Sequence, residues 1–452
     1  MTCFANRIVS RVRWSARGVW VIGLVGFVSL LVACAPVAVD QVPVGARADT
    51  RIMRSEPLEP SRSTQLLTDI MAAELALSRG ALAQASDYYA QAAMVSPDPR
   101  ISERAVQLAL SLDNRPRTTR LLKRWLSLDA DQFDARQLLA FNQLRSDQPD
   151  QALATLQAGM PRSQEAREAA LASISRLFQD PSLPASVIDL MQSLYDGYPD
   201  SPAAALGLAR VGLARERFEL AQQAVSAALD KRPDWTTAQL LQADLLRRTN
   251  QAKAALAAYQ DVIQSSEPDV QTYLDAAQLA IDLDASASAQ NMLSQAIEQY
   301  PERAQLRYVR AISWMLDDQV AAAEADFRWL LERQPNNPRV LNALGYTLVD
   351  QTQRIDEGHA LIARAYALEP DNAAIIDSMG WAEFRQGRVD SALEYLRRAY
   401  EKTPDNAEIA AHLGEVLWVQ GDKTAAKKVW TDARERSPED AVLLETLERL
   451  LP

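Results

Sequence analysis

Two patterns of apolar positions divide the chain. The first is a single run. Residues 18–32 are apolar apart from small residues, and they follow a stretch that carries Arg7, Arg11, Arg13 and Arg17 with no acidic residue. At about 15 residues the run falls short of the roughly 20 that a membrane-spanning helix needs. A basic segment ahead of a short apolar one has the form of a secretory signal peptide. The second pattern starts near Leu66 and never runs long. Its apolar stripes have helical character and are broken at regular places: Pro199, Pro233, Pro268, Pro301, Pro335, Pro370, Pro404 and Pro438 step by 34, 35, 33, 34, 35, 34 and 34. A fixed period of that length marks an array of one supersecondary unit. Stepping back from Pro199 passes turns near Glu165 and Asp131 and reaches Pro97, so about eleven units fit between residues 66 and 438. Strand-like alternation is nearly absent. Residues 37–44 show a little, but the segment is short and is marked by Pro36 and Pro43.

The units agree inside as well. One carries Met379-Gly380, then Gly387, Ala392, Leu396, Ala399 and Pro404. The next carries Leu413-Gly414, Gly421, Ala426, Trp430, Ala433 and Pro438. Earlier units keep a small residue where two helices approach, at Ala85, Ala221, Ala255, Ala289 and Ala323. This pattern resembles the tetratricopeptide repeat, with its Leu-Gly, Ala, aromatic and Pro positions. The resemblance covers about 370 residues and is sharpest from Ser201 onward. Between Asp98 and Pro199 it is weaker, although Asp113-Asn114-Arg115-Pro116, Ser146-Asp147-Gln148-Pro149 and Asp180-Pro181-Ser182-Leu183-Pro184 still mark turns. It implies an all-α superhelical solenoid of about eleven helix-turn-helix repeats with a C-terminal capping helix. Stacking would bury an apolar stripe that one helix pair cannot bury alone. The first helix of each pair would line an inner groove and the second would lie outside. The organisation expected is a signal peptide over 1–33, a lipidated cysteine and tether over 34–65, divergent repeats over 66–199, clear repeats over 200–438 and a cap over 439–452.

The apolar run ends Leu31-Val32-Ala33-Cys34, which resembles the bacterial lipobox. That resemblance implies a diacylglyceryl group on Cys34, cleavage just before it and acylation of the new amino terminus. Several acyl chains anchor far more firmly than one, at about 0.8 kcal/mol per buried methylene. The alternative is an ordinary cleaved signal beside an incidental cysteine. Ala35 follows Cys34; the absence of Asp there favours the outer membrane, with the body facing the periplasm. The tether is rich in Pro, Val, Ser and mixed charge, and a flexible chain of about 30 residues spans roughly 30 Å.

Composition narrows the function. The net charge of −11, which loss of residues 1–33 would carry to −15, argues against nucleic acid as a partner. Both cysteines, Cys3 and Cys34, precede the repeats, so the body has no thiol chemistry. His359 and His412 fall in different units and read as surface or packing side chains. No Ser/His/Asp set, zinc motif or phosphate loop is present, so no enzyme, cofactor or metal is expected.

Two candidate binding features remain. Counting from the Pro and Gly positions, the groove slots near the carboxyl end are Tyr308, Arg339, Asn342, Tyr346, Asp377, Trp381, Glu408, Glu415 and Trp418. Aromatics among polar groups suit recognition of a peptide or helix, while packing between repeats is the alternative for Trp381 and Trp418. The second feature is a basic run, Arg115, Arg117, Arg120, Lys123 and Arg124, read either as a docking patch for an acidic partner or as a solvated outer face.

Finally, Met71-Ala72-Ala73-Glu74-Leu75-Ala76-Leu77, Gly80, Asp87-Tyr88-Tyr89, Asp98-Pro99-Arg100-Ile101-Ser102-Glu103-Arg104-Ala105 and Asn342-Ala343-Leu344-Gly345-Tyr346 resemble a group of large proteobacterial outer-membrane tetratricopeptide lipoproteins. That resemblance implies an adaptor that binds a periplasmic carboxyl-terminal processing protease and its substrates, among them peptidoglycan hydrolases, and promotes their degradation. A scaffold for a secretin or exopolysaccharide exporter is the alternative, and a murein-active enzyme a third reading.

Overall fold

The computed structural model describes residues 61–451, which form twenty-three helices and their connections. The expected signal peptide, Cys34 and most of the tether lie outside the described residues. The described chain divides after Lys231 into two units.

The unit over 61–231 holds five helix pairs: α1 (Arg62–Ser78) with α2 (Leu82–Val95), α3 (Pro99–Ser111) with α4 (Arg115–Leu128), α5 (Phe133–Leu144) with α6 (Pro149–Ala158), α7 (Gln164–Phe178) with α8 (Val187–Gly197), and α9 (Pro202–Ala214) with α10 (Phe218–Lys231). The unit over 232–451 holds six pairs and a closing helix. The pairs are α11 (Thr236–Arg248) with α12 (Ala252–Ser265), α13 (Val270–Asp282) with α14 (Ser286–Gln299), α15 (Ala304–Leu316) with α16 (Val320–Arg333), α17 (Pro338–Gln351) with α18 (Ile355–Leu368), α19 (Ala373–Arg385) with α20 (Val389–Lys402), and α21 (Ala407–Gln420) with α22 (Lys423–Arg436). Helix α23 (Ala441–Leu450) closes the array. Helix α1 starts earlier than the repeat pattern suggested, because Ser61 caps it through a hydrogen bond from the Thr64 amide. The last residues of the stretch read as tether are therefore helical.

Local chemistry sets each hairpin. First helices open on side-chain caps at Asp98, Ser163, Ser201, Asp269, Asn337, Asn372 and Asn406. Many end on a residue in the left-handed region: Gly80, Gly387 and Gly421, but also Asp113, Asp147, Glu216, Asn250, Asp284 and Asp318. At Asp318 the following amide, that of Gln319, donates to Trp314 O at 2.8 Å, which closes a Schellman turn. The next helix can then fold back after one further residue.

Packing within a pair depends on close backbone approach. A Cβ on Gly345 would stand 2.7 Å from Gly358 O and 2.7 Å from Ile362 Cγ1, so α17 and α18 touch where neither has a side chain. Gly345→Ala should destabilise the protein by about 1 to 3 kcal/mol through overpacking. Urea denaturation of the full chain reads this, and an unchanged midpoint would mean that the helices separate freely there.

Successive pairs are tied by arginines on second helices. Arg124 donates to Ser96 O at 2.9 Å, Arg364 to Pro335 O at 2.8 Å and Arg436 to Pro404 O at 3.0 Å. Each cation satisfies carbonyls at the end of the preceding second helix, where the helix dipole is negative. No described helix is long and apolar enough to cross a membrane.

Candidate protein-binding face

All nine expected groove residues lie on first helices: Tyr308 on α15, Arg339, Asn342 and Tyr346 on α17, Asp377 and Trp381 on α19, and Glu408, Glu415 and Trp418 on α21. Of these, only Arg339 is exposed and Trp418 half-buried; the other seven are buried. Tyr308 packs edge-on against Phe327, 6.1 Å between ring centres, and burial pushes its hydroxyl up to about 12. Trp418 lies on Trp430, 5.7 Å between centres, with the Lys423 ammonium 4.7 Å from its ring. Glu415 takes a two-pronged bond from Arg449 of α23, at 2.7 and 2.6 Å.

Three of the residues gather around one that the sequence reading set aside. His412, on α21, places Nδ1 3.1 Å from both carboxylate oxygens of Asp377. Its ring stacks on Trp381 at 4.3 Å between centres, and its Nε2 lies 3.5 Å from the Tyr346 hydroxyl. The Trp381 indole donates to Asp350 Oδ1 at 3.1 Å, and Arg385 donates to the Asp350 carbonyl at 3.1 Å. Burial disfavours the charged imidazole, but the Asp377 charge and hydrogen bond, followed by Glu408 and Asp350, outweigh it and raise its pKa to about 9. The ring is therefore cationic at neutral pH. With 4 % of its surface exposed it joins α17, α19 and α21 rather than serving an incoming substrate.

The other histidine is also bound in place. His359 Nε2 sits 2.8 Å from Glu383 Oε1, and Arg388 reaches the same carboxylate at 2.5 and 2.8 Å. Against the effect of burial, hydrogen bonds from Arg388 first and His359 next hold Glu383 down at about 2. A buried acid on α16, Asp326, takes Arg310 at 2.7 Å and Arg307 at 3.2 Å. Asp350, Asp326 and Arg449 have no place in the sequence reading, whereas His412, expected there as a surface or packing side chain, is a packing one. The available signal was the period itself: His412 stands 35 residues after Asp377, and Arg449 stands 34 after Glu415.

The basic run lies on α4, and three of its five members serve the fold. Arg115 donates to Arg145 O at 2.7 Å, Arg117 pairs with Asp87 at 2.5 Å, and Arg124 ties α4 to the end of α2. Arg120 and Lys123 are exposed.

Helix pairs of this length, with small residues at the crossings and a turn every 34 residues or so, make this a helix-turn-helix solenoid of the tetratricopeptide-repeat fold. That fold typically serves as a non-catalytic scaffold for protein–protein interaction. Tetratricopeptide-repeat family models match residues 184–245, 274–338 and 378–441. A TPR repeat-containing protein of Pseudomonas aeruginosa is 39% identical over 158 residues, which is 34% of this chain and 27% of that protein. The match thus spans about a quarter of that relative's length. A tetratricopeptide repeat protein from Parabacteroides merdae has the same fold, with a TM-score of 0.50 and 16% identity over 56% of this chain and 99% of its own.

Proposed function

We propose that the chain is a lipid-anchored adaptor of the outer membrane, facing the periplasm, that binds a carboxyl-terminal processing protease together with client proteins such as peptidoglycan hydrolases. One observation carries the binding role. Successive first helices keep a constant frame of small and apolar residues but vary one slot: Asp244, Gln278, Ile312, Tyr346, Trp381 and Glu415 follow one another at steps of 34 or 35 in the 232–451 unit. Asp244 and Gln278 keep their part of this slot at the surface, whereas Ile312, Tyr346, Trp381 and Glu415 are buried between helices, so the first two positions are the part of it that a bound chain can meet. The protease and the membrane anchor rest on the resemblance of the Met71–Ala105 and Asn342–Tyr346 segments and of the Cys34 lipobox.

Affinity capture from a detergent-solubilised envelope should recover a processing protease and cell-wall hydrolases, and the body should then raise that protease's cleavage rate. An adaptor that acts as a simple monomeric bridge should give a bell-shaped dependence on its own concentration, because excess adaptor separates the two clients. Capture of secretin or exporter subunits, or a protease whose rate does not change, would sink the adaptor role in favour of an export scaffold. Unacylated mature Cys34 in the intact mass would remove the anchor.

A further inference from the structure

Helix α1 opens the 61–231 unit with an apolar outer face. Leu67, Met71 and Leu75 stand at successive turns on one side of it and keep 59, 63 and 50 % of their surface exposed. The terminal units of a repeat array need a polar outer face. In the 232–451 unit the closing helix α23 meets that need: it exposes Glu445, Glu448 and Arg449 and keeps Leu443 buried. Helix α1 exposes leucine and methionine in their place. Among the described residues none covers this stripe, and water is a poor solvent for three adjacent large apolar side chains.

Area argues against a second copy as the cover. A stable dimer buries roughly 800 Å² per partner, far more than three side chains supply. A segment of the same chain needs much less, because its tether holds it at roughly millimolar effective concentration. The residues directly before Ser61 have the reach. Ile52 lies nine positions upstream of Ser61, about 30 Å of extended chain. Leu75 lies only about 21 Å along α1 from the same point. The difference leaves room for the chain to turn back at the start of the helix. Pro57 and Pro60 disfavour helical backbone at Glu56 and Glu59 and favour an extended one. In an extended run Ile52 and Leu58 share one face. Arg54 lies between them and would come level with the exposed Glu74 of α1, which adds a match of charge.

We propose that residues 52–58 fold back along α1 and cover Leu67, Met71 and Leu75 with Ile52 and Leu58, as an intramolecular cap of the array. The inference does not depend on which protein the repeats bind.

Methionine oxidation by dilute peroxide tests it, in the full chain solubilised in mild detergent and read by peptide mass spectrometry. A thioether reacts only as far as the oxidant can reach it. Met94 on α2 keeps 48 % of its surface exposed and serves as the internal reference. In the wild type Met71 should oxidise about tenfold more slowly than Met94, although α1 by itself leaves it the more open of the two. Combining Ile52→Ser with Leu58→Ser should raise the rate at Met71 by about that factor and leave Met94 unchanged. Both substitutions lie upstream of the helices, so the circular dichroism of the array should stay that of the wild type. Oxidation of Met71 as fast as Met94 in the wild type would overturn the proposal. Protection that persists in the double variant would overturn it too, by giving the face to another part of the chain or to detergent. Protection that falls away on dilution would give the face to a second copy.

Discussion

The 232–451 unit should lose about 3 kcal/mol of stability as pH rises from 6.5 to about 9, through His412 alone. The folded pKa is raised above the ordinary value of 6.5. The stabilisation is therefore fully present below 6.5 and disappears as pH climbs through the folded value near 9. Asp377→Asn removes the main charge that holds the imidazolium and should flatten this slope. Asp377→Ala should cost about 3 to 5 kcal/mol at pH 7, since it leaves a buried cation without its partner. Thermal melts followed by circular dichroism at several pH values check both. A wild-type melting temperature that is level or rises between pH 6.5 and 9 would show that His412 is neutral in the folded chain.

The second large effect is expected at Trp430. Its ring is 2 % exposed, its indole donates to Ala411 O at 3.3 Å, and a Cβ on Gly414 would stand 2.0 Å from its Nε1. Ring and glycine therefore fit only each other. Trp430→Ala should lower stability by about 3 to 5 kcal/mol, from lost burial and the cavity left behind. Gly414→Ala should also destabilise, by overpacking. The double variant should be less damaging than the sum of the two, because the cavity accepts the methyl group. Strict additivity in a double-mutant cycle read by urea denaturation would contradict this packing.

Trp430 and Gly414 also show how far the sequence could be read. Both belong to the repeat pattern, and the pairing of helices follows from period, proline and small-residue positions alone. The groove slots were harder. Counting placed Tyr346, Asp377 and Trp381 on first helices, where the structure has them, but said nothing of their burial. Burial there comes from neighbouring first helices converging on His412, and that depends on the rotation between repeats, which no single repeat encodes. The same cause hid the charge pairs. Arg117 and Arg124 read as part of a charged surface run, yet they meet Asp87 and the end of α2 because the turn after α2 is short.

The reach of the tertiary bonds has a consequence for how the molecule is made. The side-chain ties between repeats join residues roughly one period apart: 28 for Arg124 to Ser96, 31 for Trp381 to Asp350, 34 for Arg449 to Glu415. Contacts so local in sequence favour fast assembly, with little loop closure to wait for. A growing chain can therefore lock each hairpin onto the last while the remainder is still being synthesised. The Tyr346–His412 contact breaks that rule by spanning 66 residues. The earlier of these repeats can dock in order of emergence, but the pocket around His412 must stay incomplete until the third hairpin arrives, so the end of the message decides when the final three settle.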